Sequence, residues 1–329
     1  MNPTPRRSVC MAALLAGLAV LGTAQAQSPA SDAFPNRPIK IVVPYPAGGT
    51  TDQVARTISQ PLREILGQPV IIENKPGAGG TLGSEYVSKQ PADGYTLLFG
   101  NSGPSATASL MRKLPYDVRN DFRPLSAVIN APMILAVPAN SPIKSVKEFI
   151  DWAKTRGTEL NYGSTGIGGS SHLATEHFNQ LAGTQIQHIP YAGGAPLVAA
   201  FAGGQIQMAF VTGLDGASMV QAGRIKYLAV ASPKRVDVLP GVPTVAEVVP
   251  NFNAVVWFGL LAPRNVPDAI ADKLASAIAT ALQRPEVRKF FSDRNVEPYG
   301  STPAELGALI DSELKQWAPV IKKANITMN

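Results

Sequence analysis

The sequence predicts an α/β protein built as two lobes with a cleft between them. Short apolar runs typical of β-strands alternate with helix patterns, which is the rhythm of βαβ units and mainly parallel sheets. The alternation occurs twice, and a long apolar run precedes and follows its second occurrence. A length of 329 residues and a hydrophobic content of 45% are sufficient for two such lobes, each with its own core.

Both alternations can be assigned element by element. In the first, strands are expected at residues 39–44, 70–73 and 95–100, and helices at 52–66 and 82–89. The second begins with a strand at 133–138 and a helix at 146–156, whose start Ser145-Val146-Lys147-Glu148 is a capping box. It continues with strands at 161–164, 186–191, 206–212 and 225–231 and helices at 170–181, 195–202 and 217–222.

The last part of the chain predicts one strand and three helices. Residues 255–262 form a continuous apolar strand, and Pro267 and Pro285 open two helices. Thr302-Pro303-Ala304-Glu305 combines the signals that start the last helix. Trp317 lies on the apolar stripe of that helix and is expected in the core.

The apolar runs at residues 131–138 and 255–263 are predicted to be paired crossovers between the lobes. The first lobe is then discontinuous and comprises residues 27–131 and 256–329, while the second comprises residues 132–255. Two lobes joined by two short strands form a hinge. We therefore expect binding to close the lobes about these strands.

The N-terminus has the pattern of a secretory signal. Arg6 and Arg7 precede an apolar stretch and Ala24-Gln25-Ala26, so cleavage is expected after Ala26. The stretch is shorter than the ~20 residues of a membrane-spanning helix. Cleavage would remove Cys10, the one cysteine, and give a periplasmic chain without disulfides. Export by the Sec route and by the twin-arginine route both stay open.

Composition and motif spacing exclude several classes of function. The net charge is only +6 and no run of five Lys or Arg occurs, so nucleic acid is not an expected partner. The glycine-rich segments at 77–82 and 166–171 carry Leu82 and Ser171 where a dinucleotide fingerprint requires Gly or Ala. Three histidines without a mature cysteine make a zinc site improbable. We predict no metal and no cofactor.

Glycine-rich polar loops follow the predicted strands. Gly48-Gly49-Thr50-Thr51-Asp52 joins a strand to a helix start, where unpaired N–H groups attract small anions. Ligands of parallel sheets bind beyond the carboxyl ends of the strands. One cleft is therefore expected to be lined by the loops at 46–51, 75–81, 101–105, 165–171, 192–194 and 213–216.

These loops favour binding over catalysis. They offer N–H and hydroxyl donors that can hold a carboxylate, but no evident pair of nucleophile and general base. The alternative is an exported serine hydrolase in which Ser102 or Ser170 acts with His172. Against it, Pro104 stands where a nucleophile elbow around Ser102 requires Gly.

Ordered motifs extend along nearly the whole mature chain, from Pro35 to Ile326. Among them are Ala47-Gly48-Gly49-Thr50-Thr51-Asp52, Glu73-Asn74-Lys75-Pro76-Gly77-Ala78-Gly79-Gly80, Asp93-Gly94-Tyr95-Thr96, Ser170-Ser171-His172-Leu173, Pro190-Tyr191-Ala192-Gly193-Gly194 and Trp257-Phe258-Gly259. Together they resemble the Bug family, the periplasmic receptors of tripartite tricarboxylate transporters.

This resemblance implies a two-lobed type II periplasmic binding protein fold that closes on a small organic carboxylate. It also implies delivery to the membrane permease subunits of a tripartite tricarboxylate-type transporter, and we expect a monomer. A ligand-sensing receptor component with the same fold stays open. The predicted ligand-binding residues are Tyr45, Ala47, Gly48, Gly49, Thr50, Thr51, Asp52, Asn101, Ser102, Ser164, Thr165, Gly168, Gly169, Ser170, His172, Tyr191, Gly193 and Asp215.

One loop departs from the family pattern. Many relatives carry an acidic residue directly after the strand that ends here at Phe210-Val211-Thr212, whereas the first carboxylate in this sequence is Asp215. The family pattern alone therefore does not assign a ligand contact, for instance to an ammonium group, to this loop.

Overall fold

A computed structural model describes residues 34–328, apart from the side chain of Ala195. The predicted signal and its cleavage after Ala26 lie outside the described residues. The strands are β1 (Ile39–Val43), β2 (Val70–Asn74), β3 (Thr96–Asn101), β4 (Phe122–Pro132), β5 (Ile134–Pro138), β6 (Asn161–Ser164), β7 (Gln187–Pro190), β8 (Met208–Val211), β9 (Ile225–Val230) and β10 (Val255–Pro263). The helices are α1 (Thr50–Leu66), α2 (Thr81–Ser88), α3 (Val146–Arg156), α4 (Ser170–Ala182), α5 (Gly194–Ala202), α6 (Gly213–Gln221), α7 (Asp268–Leu282), α8 (Pro285–Ser292) and α9 (Pro303–Lys323).

The strands form two five-stranded sheets, which confirms the predicted two-sheet α/β fold. The strand order is β2-β1-β3-β10-β4 in the first sheet and β7-β6-β8-β5-β9 in the second. In each sheet one strand from a crossover is inserted next to the outermost strand, β10 in the first and β5 in the second.

The two sheets are mixed, which corrects the expectation of mainly parallel pairing. β1 pairs in parallel with β2 and β3, and β6 does so with β7 and β8. The inserted strands β10 and β5 pair antiparallel with both of their neighbours. The chain passes from one sheet to the other at the carboxyl ends of the parallel strands. Because β5 and β10 enter their sheets from that edge, they run in the direction opposite to those strands.

Strand β4 was missed by sequence reasoning. The predicted run at residues 131–138 is instead the end of β4 and the whole of β5, which are separated at Met133. Pro124 interrupts the strand signal, because proline cannot donate to a ladder. Ser126 is fully buried, and its Oγ donates to the Ser301 carbonyl at 2.7 Å. Tertiary contacts thus stabilise a strand that the local sequence pattern does not predict.

The crossings between the sheets lie side by side. Met133 N donates to the Ala254 carbonyl at 2.9 Å, Ala231 N donates to the Met133 carbonyl at 2.7 Å, and Ala254 N donates to the Ala231 carbonyl at 2.8 Å. The lobe boundaries at residues 131–132 and 255–256, and closure about these strands, stay predictions.

The C-terminal helices begin as predicted, apart from one detail. Thr302 makes a complete capping box with Glu305, and Pro285 occupies the first turn of α8. Pro267 is the residue before α7 rather than its first residue. Trp317 is 3% exposed, which confirms its place in the core. Within residues 34–328, no helix combines the length and apolar character needed to cross a membrane.

Candidate ligand-binding cavity

A cavity of about 670 Å³ lies where strands of both sheets end. The first wall is formed by residues within the segments 44–51, 76–80 and 101–103, at or after the ends of β1, β2 and β3. The second wall is formed by residues within the segments 165–171, 191–197 and 210–215, at the ends of β6, β7 and β8. This is the sheet edge at which α/β proteins bind ligands.

The first wall is organised around the start of α1. Gly48 has a φ of +92°, a left-handed conformation that favours glycine. Gly49 is the N-cap residue and provides no side-chain bond to the helix. The first N–H groups of α1 therefore have no side-chain cap from their own loop, although Asp215 on the opposite wall accepts a backbone bond from Thr50. The hydroxyls of Thr50 and Thr51 lie beside them at the cavity.

Tyr45 and Asn101 connect this wall to the end of β3. Tyr45 Oη donates to Asn101 Oδ1 at 3.3 Å, and Asn101 Nδ2 donates to Thr51 Oγ1 at 3.2 Å. Burial raises the pKa of Tyr45 to about 12, although its bond to Asn101 acts in the opposite direction. The Tyr45 hydroxyl consequently keeps its proton at neutral pH and remains a donor.

Asp52 supports the Gly48 loop from behind. The N–H of Gly48 donates to Asp52 Oδ2, Arg56 Nε donates to the same oxygen, and Asn74 Nδ2 donates to Asp52 Oδ1, each at 2.9 Å. Burial opposes ionisation of Asp52, but the donors from Arg56, Gly48 and Asn74 outweigh it and lower the pKa. The carboxylate therefore fixes the loop rather than lining the cavity.

Ser102 is held by a buried acid that sequence reasoning missed. Its hydroxyl donates to Glu313 Oε1 at 2.6 Å, and the Trp257 indole N–H donates to Glu313 Oε2 at 2.8 Å. Burial raises the pKa of Glu313 to about 8, against the opposing effect of these two donors. At neutral pH the protonated, uncharged form of Glu313 predominates, next to Trp257 on β10.

The second wall is organised around the start of α4. Thr165, Gly168 and Ser170 line the cavity, and the N-cap residue Gly169 provides no side-chain bond to the helix. Ser171 Oγ accepts the N–H of Thr165 at 2.9 Å, which ties the loop to the helix. As in the first wall, the helix start lies at the cavity without a cap from its own loop.

Ser164 and His172 lie behind this loop. Ser164 Oγ is 2.6 Å from His188 Nε2, and His172 Nδ1 accepts the N–H of Gly168 at 2.9 Å. Burial, and secondarily the neighbouring His188, lower the pKa of His172 to about 3. Burial also lowers the pKa of His188 to about 4. Both rings are therefore neutral around pH 7.

The remaining part of the second wall precedes α5 and α6. Tyr191 and Gly193 line the cavity at the start of α5. Residues 213–216, which were expected to be a loop, form the first turn of α6 because Thr212 caps it. Thr212 Oγ1 accepts the N–H of Asp215 at 3.1 Å, and this bond starts the helix earlier than predicted.

Hydrogen bonds connect the two walls through Thr50, Thr212 and Asp215. Thr50 Oγ1 is 2.7 Å from Thr212 Oγ1, and Thr212 Oγ1 donates to Asp215 Oδ2 at 2.9 Å. Burial raises the pKa of Asp215, while bonds from Thr50 and Thr212 oppose that rise. The segment after β8 that departs from the family pattern thus brings a carboxylate to the cavity through Asp215, in the first turn of α6.

The structure divides the predicted ligand-binding residues into two groups. Those that line the cavity are Tyr45, Ala47, Gly49, Thr50, Thr51, Asn101, Thr165, Gly168, Gly169, Ser170, Tyr191, Gly193 and Asp215. Those that do not line it are Gly48, Asp52, Ser102, Ser164 and His172. Direct ligand contact by the first group stays a prediction.

Sequence reasoning also missed Arg112 and the apolar part of the cavity. Arg112 lines the cavity and donates to the Ala78 carbonyl at 3.3 Å and to Thr81 Oγ1. It is the first charged residue after β3, so its position in the chain is the signal that could have found it. The apolar lining includes Pro44, Leu197, Phe210, Val256, Phe258 and Met328.

The cavity provides hydrogen-bond donors for a ligand. It does not contain the pairing of Ser102 or Ser170 with His172 that the hydrolase alternative requires. The hydroxyl of Ser102 is bonded to Glu313 rather than to His172. The Nδ1 atom of His172 already accepts the N–H of Gly168. Within the described residues no hydrogen bond joins His172 to Ser102 or to Ser170, as a nucleophile and its general base require.

Known proteins resemble this chain in sequence and, where their structures are solved, in fold. BugT of Bordetella pertussis is 36% identical over 314 residues, which cover 93% of this chain and 96% of BugT. The structure of R. palustris Rpa4515 with adipate superimposes with a TM-score of 0.84 at 35% identity, covering 89% of this chain and 99% of that one. MatC from Rhodopseudomonas palustris with bound malate has a TM-score of 0.81 at 32% identity, covering 88% of this chain and 100% of MatC.

The two sheets and the cavity between them define the fold of the periplasmic binding protein BugD, which superimposes with a TM-score of 0.82 at 32% identity, covering 89% of this chain and 99% of BugD. The family described as the tripartite tricarboxylate transporter family receptor matches residues 54–326. The chain belongs to this family, which confirms the resemblance to the Bug receptors.

Proposed function

We propose that this chain is a periplasmic receptor that captures a small organic carboxylate for a tripartite tricarboxylate-type transporter. The observation that carries the proposal is the pair of helix starts, α1 and α4, on opposite walls of one cavity. The partial positive charge at a helix start stabilises an anion. Uncharged donors contribute about 0.5–1.5 kcal/mol each, which suits reversible capture.

The proposed ligand class is a short carboxylic acid, and a diacid in particular. Phe210, Val256 and Phe258 would contact its carbon chain. Arg112 would attract a second carboxylate at the cavity edge. Adipate and malate, which occupy two similar structures, are both diacids and support this class.

Delivery to membrane permease subunits and a location in the periplasm complete the proposal. Family membership supports the permease as partner. The Ala24-Gln25-Ala26 pattern supports export and a mature N-terminus at Gln27. In this proposal the receptor is a monomer that binds and releases its ligand without chemical change.

Native mass spectrometry of protein purified gently from the periplasm tests the proposal, followed by calorimetry with malate and adipate. A co-purified mass in the range of small organic acids is expected. Thr50→Ala and Ser170→Ala should each weaken binding by up to about tenfold per lost bond. Thr155→Ala, on α3 away from the cavity lining, is the control and should leave the affinity unchanged. Unchanged affinity in both cavity variants, or turnover of the bound molecule, would contradict the proposal.

A further inference from the structure

The second wall rests on a stack of three aromatic rings. The rings of His172 and His188, from α4 and β7, have centroids 3.9 Å apart and planes inclined by 16°. The ring of Tyr162 on β6 continues the stack, with its centroid 4.9 Å from that of His188. Three separate elements of the second sheet and its helix thus meet directly behind the loop at residues 165–169.

Each imidazole is connected to one glycine of that loop. His172 Nδ1 accepts the N–H of Gly168 at 2.9 Å, so this nitrogen must carry no proton. His188 Nε2 lies 2.6 Å from Ser164 Oγ, and this hydroxyl oxygen accepts the N–H of Gly166 at 3.2 Å. The stack therefore holds the loop at two backbone points.

The geometry resembles a capping box shifted by one residue. In a capping box, the side chain at the third helical position accepts the N–H of the N-cap residue. Here His172 is the third residue of α4, and it accepts the N–H of Gly168, one residue before the N-cap Gly169. This bond fixes the path by which the chain enters α4, and with it the direction of the first N–H groups at the cavity.

The loop needs such support because of its backbone. Gly166 and Gly168 have φ values of +131° and +73°, which glycine adopts at little cost but does not by itself prefer. A Cβ at Gly168 would lie 2.6 Å from the Met111 side chain. The loop thus passes close to its neighbours, and a small displacement would change the shape of the second wall.

We propose that His172 and His188 are positioning residues for the ligand-binding wall, with the unprotonated Nδ1 of His172 as the atom that sets the Gly168 amide. The binding part of this inference rests on the proposed function; the positioning part does not. Tyr162, the second ring stacked on His188, donates its hydroxyl to Glu176 Oε1 at 2.6 Å. Burial keeps both rings neutral at pH 7, as the acceptor role requires.

The first test uses the unmodified protein. Nitrogen-15 NMR of the histidine rings reports which ring nitrogen carries the proton. We expect His172 to be protonated at Nε2 and the Gly168 amide to exchange slowly with solvent. A proton on Nδ1 of His172, or rapid exchange of the Gly168 amide, would overturn the proposal without any substitution.

The second test compares three variants by amide exchange and by calorimetry with malate as the probe. His172→Phe keeps a flat ring but removes the acceptor, and His172→Asn supplies Oδ1 as an acceptor that cannot be protonated. We expect at least tenfold faster exchange of Gly168 and about three- to tenfold weaker binding in His172→Phe. His172→Asn should restore both to within about threefold.

His177→Phe is the matched control. His177 lies on the same helix, and its ring stacks on Phe252 at 5.4 Å, away from the cavity lining. This variant should leave the exchange of Gly168 and the affinity unchanged. Equal acceleration in His177→Phe and His172→Phe would overturn the inference, because the effect would then be global. If malate fails to bind while the exchange pattern is as expected, positioning stands and the proposed ligand class loses support.

Discussion

The two walls of the cavity are both built around a helix start, but an acid supports the first wall and bases support the second. Each begins at a helix whose N-cap is a glycine, Gly49 in the first wall and Gly169 in the second. The first wall is supported by the buried acid Glu313 through Ser102, and the second by the buried base His172 and the half-buried base His188. Folding therefore favours the protonated acid on one side and the unprotonated bases on the other.

This difference shows how Glu313 on one side and the two histidines on the other can stay uncharged around neutral pH, while the one ionised support, Asp52, is paired with Arg56. A charged group behind either wall would alter the field of the helix starts or require a buried counter-charge. Because the acid and the bases respond to pH in opposite directions, the support of the first wall should weaken as the pH rises and that of the second wall as the pH falls. Measurements of stability against pH can separate the two.

The largest effect is expected from the second wall in acid. The pKa values of His172 and His188 in the folded state, about 3 and about 4, lie below the usual 6.5. The unfolded chain therefore binds more protons, and the free energy of unfolding falls as the pH drops from 6.5 towards 4. At about 1.4 kcal/mol per pKa unit and ring, the loss should reach several kcal/mol.

Urea unfolding between pH 4.5 and 7.5 measures this loss. A variant with both His172→Asn and His188→Asn should have a flatter dependence on pH in this range. His177 is present in both proteins, so its own lowered pKa cancels in the comparison. Equal slopes for the two proteins would refute the assignment of this acid sensitivity to the stacked rings.

A somewhat smaller effect is expected from the first wall as the pH rises from 4.5 to about 8. The pKa of Glu313 is raised from 4.5 to about 8, so the folded state binds the extra proton and stability falls as the pH rises through this interval. Glu313→Gln should remove a loss of a few kcal/mol, at about 1.4 kcal/mol per pKa unit. Asp311→Asn, an exposed acid on the same helix, is the control for unfolding measured from pH 6 to 9. If both variants keep the slope of the unmodified protein, Glu313 is not its source.

The third effect is the loss of stability on removing the charge of Asp52, the ionised support of the first wall. Asp52→Asn removes a charged group that accepts hydrogen bonds from Gly48, Arg56 and Asn74. We expect the free energy of unfolding to fall by about 1–2 kcal/mol, because charge-assisted hydrogen bonds are stronger than neutral ones. Asp151→Asn breaks an exposed ion pair with Lys147 at the same spacing and should cost less than about 0.5 kcal/mol. Thermal unfolding of both variants gives the comparison, and equal losses would contradict the role of Asp52.

The smallest effect concerns the contact between the walls. The Thr50 and Thr212 hydroxyls are 2.7 Å apart, and a neutral hydrogen bond contributes about 1 kcal/mol. A double-mutant cycle with Thr50→Val and Thr212→Val should give a coupling energy of that size in the free energy of unfolding. If the changes in the free energy of unfolding of the two single variants add up to that of the double variant, the two walls do not stabilise each other through this bond.

Local signals explain which elements could be predicted. Helix α3 has the predicted bounds because Ser145 and Gly157 mark its ends, and the Thr302 capping box marks the start of α9. Loops at strand ends follow from the sheet rule, so most of the cavity lining was found. Strand β4 was missed because its pairing with β10 depends on residues far away in the chain.

The supports behind the walls were harder to predict than the walls themselves. Glu313 lies between Ile310 and Trp317 on the buried stripe of α9, so a carboxylate at an apolar position is the signal that was available. His172 was expected at the ligand, because a sequence motif places a residue near a loop without showing which side of the loop it occupies. The stacking of His172 on His188 joins α4 to β7 and is visible only in three dimensions.

The position of β10 has a consequence for the order in which the chain folds. Strands β5 to β9 are contiguous in sequence and complete the second sheet by themselves, whereas the first sheet has a gap between β3 and β4 until β10 is available. Closing that gap requires contacts of long sequence separation, which form slowly. We therefore expect the second sheet to form first and the edges of β3 and β4 to remain unpaired longest. Those two edges are the part of a newly made chain most exposed to aggregation.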